Sequence, residues 1–276
     1  MTFSDSDMTD LVDLLKRTGE EEILPRFRAI EDSDIKQKES AWDVVTEADT
    51  AAEECLTAEL SQRYPDAFIV GEEATAENPG LIDGLGEAEF AFVIDPVDGT
   101  YNFASGMPTF GTILAVIVNG ECVAGIIHYP DGGESLVGAA GGGARLLGAR
   151  GGERRLKVAE PTGLDQMVGT ISWGFLKEPE RSRIAGNLAG IGMPFAFRCS
   201  AWEYRLAAAG RAHFVSAHNL MPWDHLAGVL IHAEAGGYTA CLDGSPYGPG
   251  VNSGGLITAT DPESWSLIRR EIFELS

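Results

Sequence analysis

Apolar positions Met8, Leu11, Val12, Leu15, Ile23, Phe27 and Ile30 recur at mostly helical spacing, which predicts a helix over 8–30, kinked or divided at Pro25. That period is lost over 35–45, which reads as an exposed loop or strand. Thr46 is a good N-cap, and Asp49 follows in the first turn of a helix carried by Ala51, Ala52, Leu56 and Leu60 to about Tyr64. The apolar runs then shorten. Ala67-Phe68-Ile69-Val70-Gly71 predicts a buried strand ending at Glu72-Glu73. Residues 74–88 predict a polar, Gly-containing loop long enough to act as a mobile lid. Ala91-Phe92-Val93-Ile94 predicts a second buried strand.

Two β-patterned segments, 110–118 and 121–129, flank Asn119-Gly120, a strong hairpin signal. Residues 134–148 read as further strands broken by Gly141-Gly142-Gly143, and 150–162 as a basic-acidic connector. Helices are predicted over about 179–188, over 201–210 with Gly210 at the C-cap, and from Pro222-Trp223-Asp224 through Leu226, Val229, Leu230 and Ala233 to Gly236-Gly237. A late strand over 253–259 and a closing helix over 262–275 complete the pattern. No internal repeat or low-complexity segment interrupts it. Strands and helices mix throughout, so the class is α/β or α+β, built in layers.

Candidate chemistry concentrates in Ile94-Asp95-Pro96-Val97-Asp98-Gly99-Thr100-Tyr101-Asn102-Phe103. Pro96 has no N–H for a ladder and biases Asp95 toward extended backbone, so the strand should stop with Asp95 at its tip. Gly99 permits backbone geometry that other residues avoid. Thr100 or Asn102 would then cap a following helix whose amides face an anion. Oxygen donors suit hard cations, and Mg²⁺ takes one or two carboxylates, waters and substrate phosphate. An isolated Asp-x-x-Asp-Gly is more often an Asx-rich surface turn. The full string, with acids elsewhere in the chain, points to a magnesium-dependent phosphatase.

Charge sharpens that reading. The 276 residues carry a formal net charge of −22, which argues against nucleic-acid binding through a basic surface and against docking on anionic membranes. The same field would repel a phosphorylated substrate, and bound cations invert it locally. Cys55, Cys122, Cys199 and Cys241 are widely spaced without a C-x-x-C pair and read as reduced thiols of a cytoplasmic protein. The acidic first residues lack the apolar core of a signal peptide, and no run approaches the ~20 apolar residues of a membrane span.

Four segments place acids where a strand ends or a helix begins: Asp49, Glu72, the Asp95/Asp98 pair, and Asp224 within Trp223-Asp224-His225-Leu226-Ala227-Gly228. This set, in this order, resembles the inositol monophosphatase family over essentially the whole chain, up to Ser253-Gly254-Gly255-Leu256-Ile257. The resemblance implies a layered αβαβα sandwich of the inositol monophosphatase/fructose-1,6-bisphosphatase type. It implies a single phosphatase unit over 1–276, with two lobes at about 1–150 and 151–276, and a cytoplasmic homodimer sensitive to lithium. By position, Glu72, Asp95 and the Val97 carbonyl would hold one Mg²⁺. Asp95, Asp98 and Asp224 would hold a second, and a third, weaker ion would lean on Glu72. Gly99 and Thr100 would bind phosphate through backbone amides, and Thr100 paired with Asp49 would orient and help deprotonate the attacking water. Lys38 matches a family lysine at the active-site mouth, and Asp98, Asp224 and Ser200 border the substrate.

The implied substrate is a small phosphate monoester, inositol monophosphate by default. Histidinol phosphate, fructose 1,6-bisphosphate and a 3′-phosphonucleotide are same-fold alternatives, and a non-catalytic regulatory protein is the alternative of another class. The retained acids and Thr100 argue against loss of catalysis. Two segments leave the family pattern. Arg198-Cys199-Ser200-Ala201 replaces Gly-Ser/Thr-Ala-Ala, and Ala217, with His218 next, replaces a glutamate that reads substrate hydroxyls in inositol-specific members. A missing acceptor there lowers discrimination between sugar-like substrates. Tyr101 stands where many members have a small residue or threonine, and would reshape the pocket rim.

Overall fold

The computed structural model describes residues 3–31, 35–37 and 44–275. Helix α1 (Asp5–Thr18) starts at a capping box in which Ser4 and Asp7 satisfy each other's backbone amides. It continues as a π-helical turn, Gly19–Ile23, and stops there. Pro25 therefore kinks nothing; it lies in the turns that follow the helix. Strands β1 (Lys36–Gln37) and β2 (Val44–Val45) pair antiparallel. Helix α2 (Glu47–Arg63) begins at the predicted N-cap Thr46, where Asp49 closes a capping box.

The next stretch builds the site's scaffold: β3 (Phe68–Gly71), α3 (Glu72–Glu77), β4 (Phe90–Asp98) and α4 (Thr100–Ala104). The hairpins β5 (Gly111–Val118), β6 (Glu121–Tyr129), β7 (Glu134–Ala139), β8 (Gly143–Leu147) and β9 (Glu153–Arg155) complete a seven-stranded sheet in the order β3-β4-β5-β6-β7-β8-β9. The rest of the chain gives β10 (Val168–Ile171), α5 (Glu180–Asn187), β11 (Met193–Phe195), α6 (Ser200–Ala208), β12 (Phe214–Ala217), α7 (Pro222–Glu234), β13 (Tyr238–Cys241), β14 (Leu256–Ala259) and α8 (Pro262–Phe273). Its five strands form a second sheet, β11-β10-β12-β14-β13.

Strand periodicity sorts these elements into five layers. Phe92, Ile94, Leu114 and Val116 point to one face of the large sheet and pack with Leu11, Leu15, Leu56 and Leu60 of α1 and α2. Ala91, Val93, Ile113 and Ala115 point to the other face and pack with Tyr204, Leu226 and Ile231 of α6 and α7. Gly125 lets α7 close on the sheet, since a Cβ there would stand 2.7 Å from the Ala227 carbonyl oxygen. Ile184, Ile268 and Phe273 of α5 and α8 cover the small sheet through Ile171, Phe214 and Ile257. The order is the αβαβα sandwich implied by the sequence.

Two local expectations need correction. Residues 74–88 are not a structureless loop: α3 is followed by 3₁₀ turns over Pro79–Glu87, started by Pro79 and anchored by the fully buried Leu85. The β4 strand does not stop at Asp95 but runs to Asp98. Pro96 is accommodated by a register shift against β5 between Asp95 and Asp98, so its missing N–H breaks no ladder bond. Among the described residues no helix is long and apolar enough to cross a membrane.

Candidate metal centre and active site

The acids meet because of strand register and parity. β3 and β4 run parallel with Gly71 opposite Ile94, so Glu72, the first residue of α3, emerges beside Asp95. Asp95 keeps the parity of Ala91 and Val93 and therefore faces the α6/α7 layer. α7 starts with Pro222 in its first turn and presents Asp224 there. One ligand atom each of Asp95, Asp98 and Asp224 lies within 4.8 Å of the others. Asp95 is 2% exposed, and its Oδ1 has no hydrogen-bond partner. Burial pushes the Asp95 carboxyl well above the ordinary carboxylate range, and the charges of Glu72, Asp98 and Asp224 push it further. Burial does the same to Asp224, reinforced by Asp98 and Glu72. Glu72 lies outside the 4.8 Å group, yet its charge is the strongest of those that raise the Asp95 pKa.

Asp98 is held differently. Its Oδ1 accepts the Ser200 N–H at 3.1 Å, and its Oδ2 accepts the Ala201 N–H at 2.5 Å and the Cys199 thiol at 3.0 Å. It therefore caps α6, a helix with no side-chain cap of its own. Burial raises its pKa while these three donors lower it. A carboxylate offers about four lone-pair sites, so the capped Asp98 retains capacity for a cation.

Gly99 turns the chain with φ 87°, and a Cβ there would stand 2.8 Å from the Thr109 carbonyl oxygen and 3.1 Å from Cys199. The expected side-chain cap by Thr100 or Asn102 is absent: Gly99 is the N-cap of α4. Thr100 Oγ1 lies 2.9 Å from Asp49 Oδ1 and 3.0 Å from the Val97 carbonyl oxygen and has one proton to donate between them. Asn102 Nδ2 donates to the carbonyls of Thr109 at 2.9 Å and Phe197 at 2.8 Å, tying α4 to the segment before α6. Beneath α4, Phe27, Phe103 and Phe110 stack with centroids 4.8–5.4 Å apart and pack with Ala48 and Val97.

Asp49 is fully buried. Its Oδ2 accepts the Thr46 N–H at 2.9 Å and hydroxyl at 2.6 Å, leaving Oδ1 for Thr100. Burial lifts its pKa to about 6 against the lowering effect of Thr46.

Of the remaining sequence-predicted residues, Ser200 reaches the site through its amide on Asp98. Ala217 is buried at the end of β12. The His218 ring stacks on Phe273 of α8 with centroids 5.4 Å apart, a contact away from the acids. Lys38 lies outside the described residues. Two further acids lie outside the implied ligand set, of which the sequence reading marked only Glu203, as a residue that could face the pocket. Glu53 on α2 accepts the backbone N–H groups of Glu73 at 2.9 Å and Ala74 at 2.8 Å, capping α3 and fixing where Glu72 stands. Its partners lie some twenty residues on, and no local pattern signals them. Glu203 on α6 accepts the Thr170 hydroxyl and the Phe197 N–H, both at 3.1 Å, and burial raises its pKa to about 7. Ser200-x-x-Glu203 was the available hint, a helix-start pattern that here serves the preceding segment.

A family model described as the inositol monophosphatase family matches residues 5–272. The fructose-1,6-bisphosphatase/inositol-1-monophosphatase of Thermotoga maritima is 30% identical over 220 residues, covering 76% of each chain. The Nus factor SuhB of Pseudomonas aeruginosa is 34% identical over 233 residues, covering 79% of this chain and 80% of its own. The solved structure of the extragenic suppressor protein suhB from Bartonella henselae superposes with a TM-score of 0.82 at 25% identity, covering 97% of this chain and 98% of that one.

Proposed function

Since this chain belongs to the inositol monophosphatase family, a family of phosphatases, we propose that it is a Mg²⁺-dependent phosphomonoesterase acting on a small polyol phosphate, with inositol monophosphate as the default substrate. The observation that carries the metal assignment is the group of buried Asp95 and Asp98 with half-buried Asp224 within 4.8 Å, with Asp95 Oδ1 unpartnered. A buried carboxylate oxygen without a donor is costly, and a divalent cation is the partner that suits several of them at once. Glu72, Asp95 and the Val97 carbonyl would hold one ion, and Asp95, Asp98 and Asp224 a second. Bound there, divalent cations lower the pKa of water and offset the charge that builds on the transferring phosphoryl group.

The chain's own residues do the rest. Thr100 gives its proton to Asp49 Oδ1, so its lone pairs accept a proton from a water and fix where that water stands. Asp49, raised to about 6, is basic enough to take up the proton through Thr100. The amides of Gly99 and Thr100 hold phosphate, with the Gly99 turn giving it close access to the backbone. The buried apolar Ala217 offers no acceptor to substrate hydroxyls, which supports broad use of polyol phosphates, histidinol phosphate and fructose 1,6-bisphosphate included.

Phosphate release from inositol 1-phosphate should require Mg²⁺, stop with a chelator, and fall by orders of magnitude in Asp95→Asn. Equal turnover by wild type and Asp95→Asn, or turnover without a divalent cation, would sink the mechanism.

A further inference from the structure

Two carboxylates of the acid cluster are tied to different helices. Asp98 ends β4, but its oxygens accept the Ser200 and Ala201 amides at the start of α6. Asp224 stands in the first turn of α7. Their separation therefore depends on how α6 packs against α7. Tyr204 makes that contact. It lies one turn beyond the amides that hold Asp98 and is fully buried. Its ring rests on α7 at Gly228, where a Cβ would collide with it. Its hydroxyl lies 3.1 Å from Nδ1 of His225, the residue next to Asp224. The other ring nitrogen, Nε2, stands 2.9 Å from the carbonyl oxygen of Asn219, in the loop before α7. A carbonyl only accepts, so Nε2 carries a proton. Burial favours the neutral ring, which leaves Nδ1 to accept from the Tyr204 hydroxyl.

We propose that the Tyr204–His225 hydrogen bond is a positioning contact that sets the spacing between Asp98 and Asp224 and so fits the centre to a cation as small as Mg²⁺. This rests on the metal-dependent phosphatase reading above. Both ring nitrogens of His225 are engaged, so it offers the acid cluster no ligand atom and acts through the helix that carries it. The charges of Asp98 and Asp224 repel, so a rigid contact behind them has to oppose their spreading. Mg²⁺ demands near-ideal octahedral geometry with oxygens at about 2.0–2.1 Å, whereas Ca²⁺ accepts about 2.3–2.6 Å in a flexible shell. A shift of a few tenths of an ångström between the starts of α6 and α7 therefore separates the two cations. Groups that orient metal ligands without touching the metal commonly govern affinity tenfold to about a hundredfold.

The test is titration calorimetry of the chelator-treated protein with MgCl₂ and, separately, with CaCl₂. Tyr204→Phe keeps the ring on Gly228 and removes only the hydroxyl. It should weaken Mg²⁺ binding about tenfold or more and Ca²⁺ binding by at most about threefold. His225→Leu should do the same, and the double variant should be about as weak as His225→Leu alone, since both changes cut one bond. His225→Asn, whose amide oxygen can replace Nδ1 as the acceptor, should recover most of the Mg²⁺ affinity. In phosphate release from inositol 1-phosphate, the Mg²⁺ concentration for half-maximal rate should rise in Tyr204→Phe, while kcat at saturating Mg²⁺ stays within about threefold of wild type. If Tyr204→Phe does not fold, His225→Leu is read in its place. A packing role alone would lower the thermal midpoint of the metal-free protein and leave the ratio of the two Kd values unchanged. That result, or equal weakening of both cations, overturns the proposal and leaves the phosphatase reading intact. A wild type that binds neither cation overturns both.

Discussion

Neutralising Asp95 should stabilise the metal-free protein while destroying its activity. Asp95, Asp98 and Asp224 place carboxylate oxygens within 4.8 Å, the first two buried and Asp224 half-buried. Two unit charges at that separation, in an effective dielectric of about 20, repel by about 3.5 kcal/mol. Asp95 has two such neighbours, and the charge of Glu72 acts on it as well. Protonation relieves much of this, as the raised pKa values of Asp95 and Asp224 show. If a third of the two-neighbour repulsion survives near neutral pH, Asp95→Asn gains about 2 kcal/mol, or about 4–8 °C in Tm for a chain of this size. The new amide also donates to a neighbouring carboxylate. Mg²⁺ should act in the opposite sense, stabilising wild type by about 2.7 kcal/mol at a hundred times its Kd and the variant far less. Thermal unfolding of both proteins, with chelator and with Mg²⁺ at pH 7.5, gives four midpoints. The reasoning is refuted if Asp95→Asn lowers the midpoint in chelator, or if Mg²⁺ raises both proteins equally.

Thr100→Ala removes the hydroxyl between Asp49 and the Val97 carbonyl and should lower kcat for inositol 1-phosphate about a hundredfold or more, with Thr100→Ser retaining most of the rate; steady-state phosphate release checks this. Gly99→Ala forces a Cβ into a φ of 87° and against the Thr109 carbonyl, costing about 1–3 kcal/mol, read as a lower urea midpoint. Burial holds His128 and His232 neutral, with pKa values down to about 4 and about 3 against an ordinary 6.5. Since the folded values lie below the unfolded one, the stability they contribute is complete above pH 6.5 and falls as pH drops toward 3. Midpoints measured from pH 7 to pH 4 should decline, and His128→Gln should flatten the decline.

What could be read in advance depended on sequence distance. The hairpin at Asn119-Gly120 and the α2 capping box are set by residues within a few positions, and both form as their local chemistry requires. Asp95-Pro96-Val97-Asp98-Gly99-Thr100 was legible as chemistry for the same reason. Its backbone was not, because Pro96 alone argues for a strand end, while the register shift that lets β4 continue depends on β5. Strands β10 to β13 escaped because they are three or four residues long and take their order from pairing across the small sheet. The 74–88 segment looked polar by composition, yet Leu85 is fully buried with Val70 and Ala91, and Ile82 and Ala88 pack against the same core.

Asp98 shows why the site and the fold are specified together. Its carboxylate stands at the end of the large sheet, and its three donors come from Cys199, Ser200 and Ala201, about a hundred residues on, where α6 begins. Asn102 repeats that bridge through the Phe197 carbonyl. The acid that caps α6 is thus the residue just before the Gly99 turn, and a change to either end moves the other. Substitutions in the 197–201 segment should therefore alter cation affinity as well as substrate choice, even though none of its side chains belongs to the acid cluster.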